Sequence, residues 1–202
     1  MTDTFLDKVY AARGEDETRQ IYDAWATSYE AEVAENGYAT PGRCAATLAH
    51  VTQDLSAPLL DFGCGTGLSG LALKLSGFNM IDGIDLSAEM LAQADAKDVY
   101  RNLTLVSGDA ELVPGAYRSI AAIGVIGAGA APIDVLDTLM EALPRGGRLV
   151  FSFNDHTLED PKHEARVAQW TDRKAARLLL RERGDHLPGL GMMSNVYILE
   201  KT

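Results

Sequence analysis

The chain has 202 residues, 47% of them hydrophobic, and a formal charge of −11 from 29 acids against 18 lysines and arginines. That length suits one well-buried core and is short for two, while the charge repels polyanions and offers no basic stripe, which argues against DNA or RNA as a substrate. Two cysteines, Cys44 and Cys64, are too few for a disulfide framework, lack metal-ligand spacing and read as reduced thiols, so no metal site is expected.

The first twenty residues carry no basic start and no long apolar run, and no stretch approaches the roughly 18 apolar residues of a membrane span. The expectation is a cytoplasmic protein with no membrane partner. Acids dominate residues 1–40, and from Asp155 onward acids and bases balance; a charge run of this kind reads as a solvated face. From Glu17 to Val33 the residues Ile21, Trp25, Tyr29 and Val33 recur every four positions, with Tyr22 on a neighbouring face, which predicts an amphipathic helix ending before Asn36-Gly37. A second helix is expected from Pro41 to about Asp54, before Ser56-Ala57-Pro58.

After Pro58 the period changes. "PLLDF", "NMIDGIDL", "LTLVSG", "SIAAIGVIG" and "RLVFSFN" read as short buried strands, separated by helices over Leu68–Ser76, Ser87–Lys97 and Ile133–Leu143. Strands alternating with such helices imply parallel pairing through right-handed crossovers, hence an α/β three-layer sandwich of Rossmann-like type. The end departs from that rhythm. "ARLLLRERGDHL" and "MMSNVYILEK" flank "PGLG" and predict an antiparallel hairpin closing a mostly parallel seven-stranded sheet.

In such a sheet ligands bind beyond the carboxyl ends of the strands. The stretch "LLDFGCGTGLSG" sits there, and its glycines remove the Cβ atoms that would hold a ligand off the backbone at a helix start. Gly65-Thr66-Gly67-Leu68-Ser69-Gly70 fits the dinucleotide formula G-x-G-x-x-G, so a nicotinamide-dependent oxidoreductase is one reading. Asp61 argues against it, because a carboxylate just before the glycines repels pyrophosphate and suits a cationic ligand. Asp85 follows the second strand eighteen residues after Gly67, where an acid can accept from both ribose hydroxyls. Asp109 ends the third strand, placed for an adenine amino group.

With these residues the sequence resembles the class I S-adenosylmethionine-dependent methyltransferases. "LLDFGCGTG" is similar to their D-x-G-x-G-x-G motif, "GIDLSAEML" to the second-strand acid and its helix, "SGDAELVP" to the adenine segment, and "IAAIGVIGAGA" with "LMEALPRGGRLVFSFN" to the fourth and fifth strands. "YDAWATSYE" and "GYATP" further resemble the small type 11 and Williams-Beuren region methyltransferases. The resemblance implies S-adenosylmethionine as cofactor and S-adenosylhomocysteine as product. Asp61 and Gly63 would lie near its amino acid end, Gly65 and Gly67 would shape the bend, and Asp85 would bind the ribose. Leu86 and Met90 would pack near the adenine, Asp109 and the Ala110 N–H would reach its ring, and Gly124 and Val125 would border the reacting end. An N-terminal helix covers the cofactor in related enzymes, so Tyr22 and Tyr29 are expected to touch it; aromatic faces also stabilise a sulfonium.

The resemblance further implies one methyltransferase domain over 1–202, divided into an N-terminal helical lid (1–40), a cofactor-binding core (41–154), and a substrate-side helix with the terminal hairpin (155–202). Methyl transfer is an in-line displacement in which holding the acceptor at about 3 to 3.5 Å supplies much of the catalysis, and a base is needed only where the nucleophile must lose a proton. After the fourth strand stands Gly124-Val125-Ile126-Gly127, not the Asn-Pro-Pro-Tyr type signature of enzymes that methylate amino groups of DNA bases or protein amides. Asn154, Asp155, His156, Asp185 and His186 are candidates for acceptor contact, the histidines reading first as surface residues, and no catalytic residue is assigned. The short segment after the core strands favours a small-molecule methyl acceptor. A non-catalytic nucleoside-binding protein that keeps the fold is the remaining alternative.

Overall fold

A computed structural model describes residues 15–107, 111–127 and 129–202, with the side chains of residues 15–18 and of Thr27 also outside the description. Two helices, α1 (Glu15–Glu35) and α2 (Thr40–Val51), precede β1 (Leu59–Phe62), α3 (Leu68–Leu75), β2 (Ile81–Asp85), α4 (Ala88–Asp95), β3 (Asn102–Leu105), β4 (Ser119–Ala122), α5 (Val135–Ala142) and β5 (Arg148–Asn154). The short α6 (Asp155–Leu158), then α7 (Lys162–Asp172), β6 (Ala176–Leu187), a 3-10 turn at Pro188–Leu190 and β7 (Met192–Lys201) complete the chain. The strands form one seven-stranded sheet in the order β3-β2-β1-β4-β5-β7-β6. β3 through β5 pair in parallel, and β7 runs antiparallel between β5 and β6.

Neighbouring residues on each strand point to opposite layers, which is why the central β4 and β5 are buried along almost their whole length. Leu60, Ile120, Phe151 and Tyr197 join a core with Leu136, Leu139 and Met140 of α5. Leu59, Ala121, Val150 and Ile198 join the other core, with Cys44, Ala45 and Leu48 of α2 and Leu73 of α3. Both cysteines are buried and free. Among the described residues no helix is long and apolar enough to cross a membrane, and no cluster of three or more His, Cys, Asp or Glu could hold a metal.

Several expected elements end early: β3 stops at Leu105, before Val106 and Ser107, and α4 stops at Asp95 rather than Lys97. α2 stops at Val51 rather than near Asp54, because Thr52 turns extended at φ −94° and ψ 125° and Asp54 instead takes the N–H and Oγ of Ser56 in a turn. β4 stops at Ala122 rather than running to Gly127. Gly124 there adopts φ +71°, a conformation open to glycine. Its N–H donates at 3.0 Å to the side-chain Oγ of Ser152 on the neighbouring β5 instead of to a backbone carbonyl of the ladder.

Candidate functional site

The chain runs outward from β1 to β3 and then returns to β4 on the other side of β1, so the carboxyl ends of β1 and β4 diverge and leave a crevice. A cavity of about 490 Å³ occupies it. Gly63, Gly65, Thr66 and Ser69 of the first turn line it, with Asp85, Leu86 and Met90 from the second strand and its helix, Gly124 and Val125 after β4, and Arg19, Tyr22 and Tyr29 of α1. Gly65 adopts φ +53°, and a Cβ there would meet no atom within 4 Å, so this backbone is bare toward open space.

Asp85 sets the electrostatics. Its Oδ2 accepts the Gly65 N–H at 2.8 Å and its Oδ1 the Ser87 N–H at 3.0 Å, so the carboxylate fixes the bend before any ligand arrives. Burial raises its pKa, those N–H donors pull it back, and the charge of Asp23 on α1 adds to the rise. The Leu86 N–H also bears on the carboxylate, and further donors would relieve the remaining buried charge. Ser87 caps α4 by accepting the Met90 N–H at 3.1 Å, which seats Met90 against the cavity.

Asp61 takes a different place. It is fully buried, does not line the cavity, and its Oδ2 accepts from Ser69 Oγ at 2.6 Å and from Tyr100 Oη at 2.7 Å. Its Oδ1 is buried with no hydrogen-bond partner among the described residues. Burial pushes its pKa up to about 7 against the pull of those two hydroxyls. Tyr100 was not anticipated: it lies just before β3 with no motif around it, and it explains Gly70, whose N–H donates to Tyr100 Oη at 3.1 Å. A Cβ on Gly70 would lie 2.2 Å from the Tyr100 ring. The last glycine of the dinucleotide formula therefore makes room for a buried tyrosine and does not face the crevice. Gly67, at φ +92°, likewise turns toward Ala94, Lys97 and Tyr100 rather than into the cavity.

α1 lines one side of the crevice. Lys97 Nζ donates to Thr66 O at 2.8 Å and pairs with Glu30, tying α1 and α4 to the glycine bend. Trp25 is core: it is 2% exposed, its indole N–H donates to Glu32 Oε2 at 2.8 Å, and Tyr22 and Tyr29 pack on it with centroids 5.8 and 4.7 Å away. Tyr22 and Tyr29 thus have both a packing partner and a face on the cavity.

A second, smaller cleft of about 60 Å³ shares Tyr22, Tyr29, Tyr38, Gly124 and Ala130 with the first and adds Ser152, Asn154, Thr157 and His186. Of the acceptor candidates only Asn154 and His186 reach it. Asp155 accepts from Arg183 at 2.8 Å and from the Met193 N–H at 2.9 Å, His156 is exposed beside Glu159, and Asp185 is exposed. The expectation that the histidines lie at the surface fails for His163 and His186, which are 5% and 6% exposed because each packs its ring on an aromatic neighbour. Asp109 and Ala110, the expected adenine contacts, lie outside the described residues.

Residues 37–188 match the family described as methyltransferase domain. Human methyltransferase-like protein 27 is 33% identical over 150 residues, and the yeast 18S rRNA (guanine(1575)-N(7))-methyltransferase from Saccharomyces cerevisiae is 30% identical over 126 residues. The matches span 69% and 54% of this chain but only 60% and 46% of those proteins. In fold, the [4+2]-cyclase SpnF has a TM-score of 0.71 at 16% identity, covering 94% of this chain and 97% of its own. A Thiobacillus denitrificans SAM-dependent methyltransferase in complex with S-adenosyl-L-homocysteine has a TM-score of 0.57 at 13% identity, covering 79% of this chain and 91% of its own. These two likenesses show the fold alone. The rRNA-methylating relative corrects one expectation: a net charge of −11 does not exclude nucleic acid partners, since whole-chain charge says little about one local surface. The match across residues 37–188, on a sheet whose glycine bend and strand-end acid frame an open crevice, makes the chain a member of the methyltransferase domain family, of the class I S-adenosylmethionine-dependent type.

Proposed function

We propose that this chain transfers a methyl group from S-adenosylmethionine to a small-molecule acceptor that enters the cleft beside Gly124. The observation that carries this reading is the pair of adjoining spaces, about 490 and 60 Å³, which meet at Tyr38 and Gly124. The residues present fit the cofactor. Asp85 offers a buried carboxylate for paired hydroxyls, Gly65 leaves the backbone open for close approach, Leu86 and Met90 supply an apolar wall, and the Thr66 hydroxyl, which lines the same cavity, is buried without a partner among the described residues. When bound, S-adenosylmethionine supplies a methyl group activated by a positively charged sulfur.

The chain's own part is placement and exclusion of water. α1 covers the cofactor as a lid, with Tyr22 and Tyr29 on its inner face, while Gly124, held by Ser152, removes bulk where the two spaces join. Tyr38 narrows that junction: a Cβ on Gly124 would lie 2.6 Å from its hydroxyl. Acceptors therefore reach the reacting end through a narrow passage, which favours a compact group. Asp61, behind the bend, acts through Ser69 and Tyr100 as a support of the loop.

The test is transfer of labelled methyl from S-adenosylmethionine into a small-molecule metabolite fraction and, separately, into total RNA. Label in the small-molecule fraction supports the proposal. Label found in RNA alone would sink its acceptor half, and no transfer to either, despite tight S-adenosylhomocysteine binding, would favour a cofactor-binding protein without turnover.

A further inference from the structure

The wall of the smaller cleft opposite α1 is built where the start of α2 meets the end of β6. Ala39 N–H donates to His186 O at 3.0 Å, and the His186 ring stands edge-on to Tyr38 with centroids 5.3 Å apart. Behind the ring lies a buried relay. His186 Nδ1 is 2.8 Å from Thr40 Oγ1, Thr40 Oγ1 is 2.9 Å from Ser194 Oγ, and Ser194 Oγ is 3.0 Å from Arg43 Nη1. Thr40 and Ser194 are both fully buried.

The relay has a direction. A guanidinium only donates, so Ser194 Oγ accepts from Arg43 and must send its own proton elsewhere. Thr40 Oγ1 is the acceptor available to it among the described residues. Thr40 therefore receives from Ser194 and donates to His186 Nδ1. The reverse arrangement would strand the Ser194 proton in a buried place with no acceptor. A ring nitrogen that accepts carries no proton, and burial lowers the His186 pKa to about 4, so the ring is neutral and its proton sits on Nε2. Nε2 has no hydrogen-bond partner among the described residues, and the ring lines the cleft.

We infer that His186 is a fixed hydrogen-bond donor of the acceptor site: its Nε2–H, set by the Arg43–Ser194–Thr40 relay, holds a carbonyl or carboxylate oxygen of the methyl acceptor. It is a specificity-determining residue and not the base that removes a proton, since the lone pair a base needs is turned to Thr40. Molecules presenting an ammonium or another donor at this point leave Nε2–H unpaired and are disfavoured. This rests on the methyl-transfer reading of the cleft, while the state of the ring itself does not.

The experiment is ring-nitrogen NMR on ¹⁵N-labelled protein with S-adenosylhomocysteine, the His186 signals being identified by their loss in His186→Gln. The expected spectrum has a protonated Nε2 and an unprotonated, hydrogen-bonded Nδ1, and Thr40→Val moves it toward the other tautomer. Acetate and acetamide are the probes. Each shifts Nε2 and its proton saturably, methylammonium does not, and His186→Leu loses roughly tenfold in acetate affinity while His186→Gln, which keeps an N–H, stays within a few-fold. A parent ring protonated on Nδ1 or on both nitrogens, an unchanged tautomer in Thr40→Val, or an Nε2 moved by neither oxygen probe overturns the inference. Calorimetry with S-adenosylhomocysteine on the same samples separates the two claims: a correct tautomer without cofactor binding defeats the methyl-transfer reading, whereas cofactor binding with the wrong tautomer defeats only the role of His186.

Discussion

Replacing Asp61 by asparagine should make the protein's stability less dependent on pH. In the folded chain burial holds the Asp61 pKa at about 7, against 3.8 for an ordinary aspartate. Between those values the folded state keeps a proton that the unfolded state releases, so the stabilising contribution is complete below about 3.8 and is lost as the pH rises through about 7. The gap is about three pKa units, and at about 1.4 kcal/mol per unit the swing is about 4 kcal/mol. The substituted amide would have no proton to lose, and its oxygen can still accept from Ser69 and Tyr100. Its nitrogen would occupy the place of the unpartnered Oδ1 and cost about 1–3 kcal/mol at every pH. The slope with pH is therefore the test, and the offset is not. Urea unfolding of parent and Asp61→Asn across the range from about 5 to about 8 should show the variant gaining on the parent as the pH rises toward about 7 and levelling off above it. Parallel stability curves would refute the buried, uncompensated carboxylate.

Gly70→Ala should destabilise the fold by about 1–3 kcal/mol in the same assay, because its Cβ would strike the Tyr100 ring, and the loss should shrink in a Tyr100→Ala background. Tyr29→Ala should weaken S-adenosylhomocysteine binding in calorimetry while the domain still unfolds cooperatively; unaltered affinity would return Tyr29 to packing on Trp25. Lys97→Met, which unties α1 from the glycine bend, should weaken the same binding, and an unchanged affinity would show that α1 is seated by its apolar face alone.

The central strands and their crossovers were legible because β1, β2, β4 and β5 are short, largely buried runs, and because Gly-rich or Pro-containing turns separate them. The hairpin was legible because β6 and β7, at 12 and 10 residues against the 4 of β1, break the rhythm of the earlier strands, and a tight Pro-Gly turn joins them. The place of Asp85 at the strand end beside the glycine bend was legible from its distance after the glycines. Tyr100 was not, since a tyrosine in the loop before an edge strand carries no periodic signal, and only the tertiary fold brings it within reach of Asp61, thirty-nine residues away. The orientation of Asp61 was missed for the same reason: sequence places an acid at the end of β1, but Ser69 and Tyr100 decide which way it turns. His186 lies 146 residues from Thr40, so the relay that fixes its ring has no local trace in the sequence. The charge argument against nucleic acid failed for a different cause, because net charge averages over surfaces that never meet a partner.

The account depends on the crevice at the end of β1 taking a sulfur-bearing nucleoside held by Asp85. Calorimetric titration of the parent and of Asp85→Asn with S-adenosylhomocysteine, and with NAD as the rival ligand, tests this most directly. The account predicts binding of S-adenosylhomocysteine to the parent, a loss of about tenfold or more in the variant, and no binding of NAD. Equal affinity in parent and variant, or a parent that binds NAD and ignores S-adenosylhomocysteine, would contradict it.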